Sequence, residues 1–306
     1  MRVTTRIAVM GAAVLLLTPA ISGATDILFL TNAPAMSAAD QGIYNRLTLT
    51  LGYTVDQRDG HVATPAHMVD HHLLIVSPTP SSGIVKNQWN NTGPVATGGD
   101  GAIFRNMGYP IINMQNGLTD ELGFTVDSNG GQGTGSNAGS TYPVAGNDIN
   151  IVNPLSPLAA GLAAGFQPVF TANGVTVSVF ANTNFSILGN RLTPAADLVA
   201  RISAVVFGNA AFDTAFVGIV SLEQGNALGN VAADPDYLAT AANRRIEFML
   251  GPTTFPSLNG NGLALFDAAV NYGLASPVVP EPSSLVLAGL GFAGLVAYRL
   301  RSRRGR

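Results

Sequence analysis

Four histidines are the first residues of this chain that could do chemistry, because His61, His67, His71 and His72 all fall within twelve positions. Asp59 and Asp70 stand beside them. His67 and His71 are four residues apart, the spacing that sets two imidazoles on one helix face, so with His61 they form a candidate metal set. Against a single metal, His61 follows the carboxyl end of one expected strand, while His71 and His72 precede the amino end of the next. Those are opposite edges of a parallel sheet. Solvated histidines at loop and helix ends are the alternative.

Nucleophiles are scarce. Ser77, Ser81 and Ser82 follow an apolar run, where a nucleophile could stand, but serine needs a positioned base and His61 is the one histidine placed to reach it. No Gly-x-Ser-x-Gly elbow occurs. Gly130-Gly131-Gln132-Gly133-Thr134-Gly135 follows no clear strand, opens no helix and has no lysine behind it, so it reads as a surface loop and not as a phosphate cradle. The chain has no cysteine, which removes thiol nucleophiles, thiolate metal sites and iron–sulfur clusters. No catalytic residue is assigned and no cofactor is expected.

The elements that must position these residues alternate. Asp26 to Thr31 and Leu73 to Ser77 are short continuous apolar runs, the pattern of strands buried on both faces. Ser37 with Asp40 three residues on starts a helix whose Ile43, Leu47 and Leu51 recur at four-residue spacing, and Gly52 ends it. Tyr53 to Val55 opens a second strand closed by Asp59-Gly60, a helical segment follows over Pro65 to Asp70, and Pro110 to Met114 is a fourth strand. Further strands are expected over Ile202 to Phe207, Phe216 to Leu222 and Arg245 to Leu250, with a helix over Asn261 to Tyr272. Val169 to Thr171 and Val175 to Phe180 read as a hairpin turning at Asn173-Gly174.

Alternation with short connections predicts an α/β fold, with a mostly parallel central sheet between helices on both faces. Ligands of such sheets sit at the carboxyl ends of the strands. Asn32, Asp59, Ser77, Gln115 and Asn116 would gather there, with Glu223 beside Gln115.

The two ends carry addresses. Arg2 and Arg6, the apolar Ile7 to Leu17 and the small residues Ser22-Gly23-Ala24 make a secretory signal peptide over 1–24. At the other end stand Pro280-Glu281-Pro282, an uncharged apolar run from Leu285 to Tyr298, and Arg299, Arg301, Arg303, Arg304 and Arg306. As a helix, the 14-residue run would be about 21 Å long, short of the ~30 Å hydrocarbon core, although snorkelling arginines can close the gap. The order of these parts resembles the PEP-CTERM sorting signal. That resemblance implies export through the inner membrane, transient anchoring by a C-terminal hydrophobic helix, and cutting by an exosortase-type protease. The protein would then reach the cell surface or the extracellular space, with exopolysaccharide as a partner beside the export machinery. A stable anchor is the other reading of the tail.

Between them, 25–276 reads as one α/β domain and 277–306 as the tail. Setting aside seven arginines and Glu281 in the ends leaves eight basic and seventeen acidic residues, a net charge of −9. A body so acidic has no basic patch for nucleic acid. A ligand held by Asn32, Gln115 and Asn116 would be a sugar in preference to an anion.

The body also has a likeness. The opening strand–helix–strand, Ile151 to Leu162 (IVNPLSPLAAGL), Leu222 to Leu228 (LEQGNAL) and Asn243 to Leu274 together resemble the ThuA-like, class I glutamine-amidotransferase-like superfamily. The resemblance implies a flavodoxin-like three-layer sandwich. The true amidotransferases of that fold use a Cys nucleophile with a His and an acid; this chain has no Cys and no His after His72, so the triad does not carry over. Two functions follow: a non-catalytic exported protein that binds glycan, or an extracellular hydrolase acting on a glycan or small ester.

Overall fold

The computed structural model describes residues 26–32, 35–89, 102–119, 121–126, 140–179, 191–193, 195–202, 216–229 and 238–275. The expected signal peptide, the sorting tail with its apolar run, residues 130–135 and residues 203–207 of an expected strand lie outside them.

In chain order the strands are β1 (Asp26–Thr31), β2 (Thr54–Asp59), β3 (Leu73–Val76), β4 (Ile111–Asn113), β5 (Thr125–Val126), β6 (Ser140–Pro143), β7 (Asp148–Ile151), β8 (Gly165–Pro168), β9 (Thr176–Val179), β10 (Arg191–Leu192), β11 (Asp197–Ile202), β12 (Phe216–Leu222) and β13 (Arg245–Phe248). The α-helices are α1 (Ala38–Asn45), α2 (Ser82–Gln88), α3 (Ala102–Asn106) and α4 (Gly260–Leu274). Nine strands form one sheet in the order β2-β1-β3-β4-β13-β12-β11-β7-β8. The first five run parallel, the strand order of a flavodoxin-like fold. From β12 outward the pairing is antiparallel.

Side-chain alternation along β1 divides the core. Ile27 and Phe29 pack with Ile43 and Leu47 after α1's start and with Leu265, Phe266, Ala269 and Val270 of α4. Leu28 and Leu30 pack on the other face with Val85 and Trp89 behind α2 and Phe104 of α3. The result is helix, sheet, helix: the expected three layers. Phe266 sits edge-on to both Phe248 and Phe255, with ring centres 6.0 and 5.3 Å apart, geometry that aromatic quadrupoles favour.

Local chemistry sets the helix ends. Ser37 Oγ accepts the Asp40 N–H at 3.0 Å, the expected start of α1, and the helix passes into a wider π-turn over Arg46–Thr50. Asn259 caps α4 by accepting from the N–H groups of Asn261 and Gly262. Arg46 ties that first helical segment to α4 through a two-point bond to Asp267, at 2.9 and 2.5 Å.

One local expectation fails. Gly174 does turn the chain, with φ at +72°, but β9 pairs with β6, and Val169 donates to the carbonyl of Asn147. A partner far along the chain displaces the neighbouring segment, so among the described residues 169–171 and 175–179 do not pair as a hairpin.

Candidate functional site

At the carboxyl edge of the parallel strands, three side chains hold successive residues of the segment that joins β3 to α2. Asp40, fully buried on α1, accepts from Ser77 Oγ and from Thr79 Oγ1, the latter at 2.8 Å; Ser37 Oγ also donates to it at 3.0 Å. Gln115, just past β4, donates its amide to the carbonyls of Pro78 and Pro80, at 3.3 and 2.5 Å, and accepts the Gly117 N–H at 3.1 Å. His61, after β2, accepts the Ser81 N–H at its Nε2, 3.0 Å away. Residues 77 to 81 are thus each fastened, in turn, by Asp40, Gln115 or His61.

The packing beneath is tight. A Cβ on Gly60 would lie 3.1 Å from Pro80, and one on Gly117 would overlap the Ser82 side chain, 2.8 Å from its Cβ. Thr79 Oγ1 also accepts the Asn32 N–H at 3.1 Å, which joins the end of β1 to the same segment.

These bonds decide what the serines can do. Ser77 is fully buried, and its hydroxyl donates to Asp40 while accepting the Thr79 N–H at 3.2 Å. The lone pair of His61 Nε2 is occupied by the Ser81 N–H, which places the ring proton on Nδ1, facing Asp59 Oδ1 at 3.6 Å. His61 is therefore a fastener of the backbone, and the geometry offers Ser77 a carboxylate acceptor in place of an imidazole base.

The structure brings Asn32, Asp59, Ser77, Gln115, Asn116 and His61 to one edge. Asn32 is exposed, and Asp59 and Asn116 are half-buried, so these three reach solvent. Glu223 is elsewhere. Because β12 runs against β13, its last residue Leu222 pairs with Arg245 at the start of β13, which carries Glu223 to the amino edge of the parallel strands. The expected pairing of Glu223 with Gln115 is corrected by that reversal of direction.

The histidines likewise separate. His67 Nδ1 accepts from the Thr64 N–H at 3.1 Å and closes a capping box, while His71 Nε2 lies 3.6 Å from Asp56 Oδ2. Among the described residues no three His, Cys, Asp or Glu side chains converge to hold a metal. His61, His67 and His71 each face a different local partner, so the candidate metal set of the sequence has no common centre among the described residues.

Two further polar groupings join residues far apart in the sequence. Asn113 of β4 donates its amide to both oxygens of Glu247 on β13, at 3.1 and 2.9 Å, and both residues are fully buried. The signal was a carboxylate inside the otherwise apolar run Ile246 to Leu250. At the amino edge, Arg244 donates to both oxygens of Glu223, at 3.2 and 2.9 Å, and to the carbonyls of Tyr272 in the last turn of α4 and, at 3.1 Å, of Ala275, the residue that caps it. Tyr272 donates to Glu223 at 2.7 Å. Burial, and then the hydrogen bond and charge of Glu223, push the Tyr272 phenol up to about 12.

Next to Arg244, Arg245 is fully buried and donates to the carbonyls of Phe104, at 2.9 Å, and Arg105. Burial, and then the charge of Arg105, push it down to about 9. No helix among the described residues is long and apolar enough to cross a membrane.

Residues 278–304 match the PEP-CTERM protein-sorting motif. Among solved structures, the chain is similar to a ThuA-like protein of Bacteroides uniformis, at 12% identity over 85% of this chain and 95% of that one, with a TM-score of 0.48. A ThuA-like protein of Parabacteroides merdae is similar at 10% identity over 84% and 92%, with a TM-score of 0.47. A glutamine amidotransferase of Thermotoga maritima is similar at 9% identity over 83% and 100%, with a TM-score of 0.42. No curated protein matches the chain.

Proposed function

We propose that this chain, which carries the PEP-CTERM sorting motif, is exported, held briefly in the inner membrane by its apolar tail and cut there by an exosortase-type protease. Its body then acts as a non-catalytic domain at the cell surface or in an extracellular matrix, binding glycan at the carboxyl edge of the parallel strands. The observation that carries the first part is the match at 278–304, which begins three residues beyond Ala275, the last residue of the described body. The basic end and the signal peptide are consistent with it.

The second part rests on neutral amides. Asn32 and Asn116 offer donors and acceptors suited to hydroxyls, and a body of net charge −9 disfavours anions. Gln115, whose amide is committed to Pro78 and Pro80, shapes the site by holding its wall.

Intact-mass measurement on protein from envelope and medium tests the processing. Loss of the residues after about Pro282 is expected, and a full-length tail in the mature protein would establish the stable anchor instead. Binding isotherms with exopolysaccharide test the site: Asn32→Ala and Asn116→Ala are expected to weaken binding, and unchanged isotherms would remove glycan from the proposal.

A further inference from the structure

The body ends at the amino edge of the parallel strands. Arg244, the residue before β13, holds the final carbonyls of α4, and Tyr53, the residue before β2, donates to Asn271 at 2.7 Å. Gly273 lies against Leu73, the first residue of β3. The chain therefore leaves toward its sorting motif from the edge opposite the segment 77–82.

That same edge is where apolar side chains are left bare. Leu49 (80% exposed) stands in the turn leading into β2; Val69 (73%) and Tyr109 (37%) precede β3 and β4. Leu155 (92%) and Val152 (39%) follow β7, whose direction matches β12 and opposes β13, so they too emerge at the amino edge. Leu238 (43%) is held there by a bond from its N–H to Asn106 Oδ1. These are six of the nine large apolar residues exposed among the described ones. Val62 and Ile84 lie at the carboxyl edge, and Phe166 on the outer strand β8.

Nine residues lie between Ala275 and Leu285, where the apolar run begins. Fully extended, the ten steps from one to the other span at most about 36 Å. A body of this size has a diameter of about 45 Å. The tether is shorter than the body is wide and is attached at the apolar edge.

We infer that, while the tail is inserted, the amino edge of the parallel strands lies on the phospholipid surface through these six side chains, and that the segment 77–82 points away from it. The inference rests on the sorting reading, because it needs an inserted tail. Apolar contact supplies the attraction, and the acidic body restricts it to lipid of little net charge.

The absence of native cysteine makes the test direct. Full-length Leu155→Cys, Val62→Cys and Ala293→Cys variants carry one dye each, in phosphatidylcholine vesicles containing a nitroxide-bearing lipid. The expected result is quenching of the A293C label and several-fold stronger quenching of L155C than of V62C. A quenched A293C label with L155C and V62C equal, or V62C stronger, would overturn the orientation and leave the sorting reading standing. An unquenched A293C label would overturn both.

Discussion

The guanidinium of Arg244 lies over the ring of Tyr272, its central carbon 3.7 Å from the ring centre, while both residues bind the same carboxylate, Glu223. One cation thus answers a π-face, a carboxylate and two helix-terminal carbonyls. Its side chain is 4% exposed, against 37% for Glu223, so most of the desolvation falls on the arginine.

Removing it should be costly. Arg244→Met keeps the stem but takes the guanidinium donors away from Glu223, which retains the Tyr272 hydroxyl, and from the carbonyls of Tyr272 and Ala275. The expected loss is roughly 2–4 kcal/mol in urea denaturation. Glu223→Gln, at a partly solvated position, should lose about 1 kcal/mol or less.

The phenol gives a pH dependence. Its folded value is raised from 10.0 to about 12, so the folded state holds its proton more tightly than the unfolded state. The contribution is complete below pH 10 and is lost as pH rises through about 12. Arg245 works in the opposite sense: lowered from 12.5 to about 9, it binds its proton less tightly when folded and adds stability as pH rises across that interval. The stability difference between the wild type and Tyr272→Phe should therefore shrink above pH 10, while the Arg245 contribution remains in both proteins. Urea titrations between pH 8 and pH 11.5 should show it. A difference constant across that range would contradict the placement of Tyr272.

At the other edge, Asp40→Ala would strip the acceptor from Ser37, Ser77 and Thr79 together. A loss of roughly 2–4 kcal/mol is expected by thermal or urea unfolding. His61→Ala removes a single acceptor and should cost about 1 kcal/mol. Its more telling readout is amide exchange at Ser81, which should accelerate while amides of β1 keep their protection.

Gly262→Ala should reverse the usual helix rule. In an exposed helix, alanine is better than glycine by about 1 kcal/mol. Here the new Cβ would stand 2.5 Å from the Val169 carbonyl oxygen and 2.8 Å from Leu258 Cδ2. A net loss of about 1–3 kcal/mol is expected from the shift in Tm.

How far the sequence led depends on the range of the interaction. The parallel half was legible because Leu28, Leu74 and Ile112 belong to continuous apolar runs, and because Ser37 announces its helix within three residues. The antiparallel half was legible as strands and not as directions: nothing local to Phe216–Leu222 states which way it runs against β13, and Glu223 was misplaced for that reason. Asn173-Gly174 locally signals a turn between neighbours, whereas β9 pairs with β6. At the site, Ser77, Gln115 and His61 were grouped at one edge as chemical reagents. Their partners include the backbone of Pro78, Pro80 and Ser81, and a backbone carbonyl has the same identity at every position, so sequence carries no trace of the choice.

Arg244 completes the final turn of α4 from a position 28 residues before Tyr272 and 31 before Ala275. The terminus of the folded unit is thereby sealed from within, by a side chain that no downstream scission can take away. Shedding would change where the domain resides without removing any of the bonds by which Arg244 closes this helix.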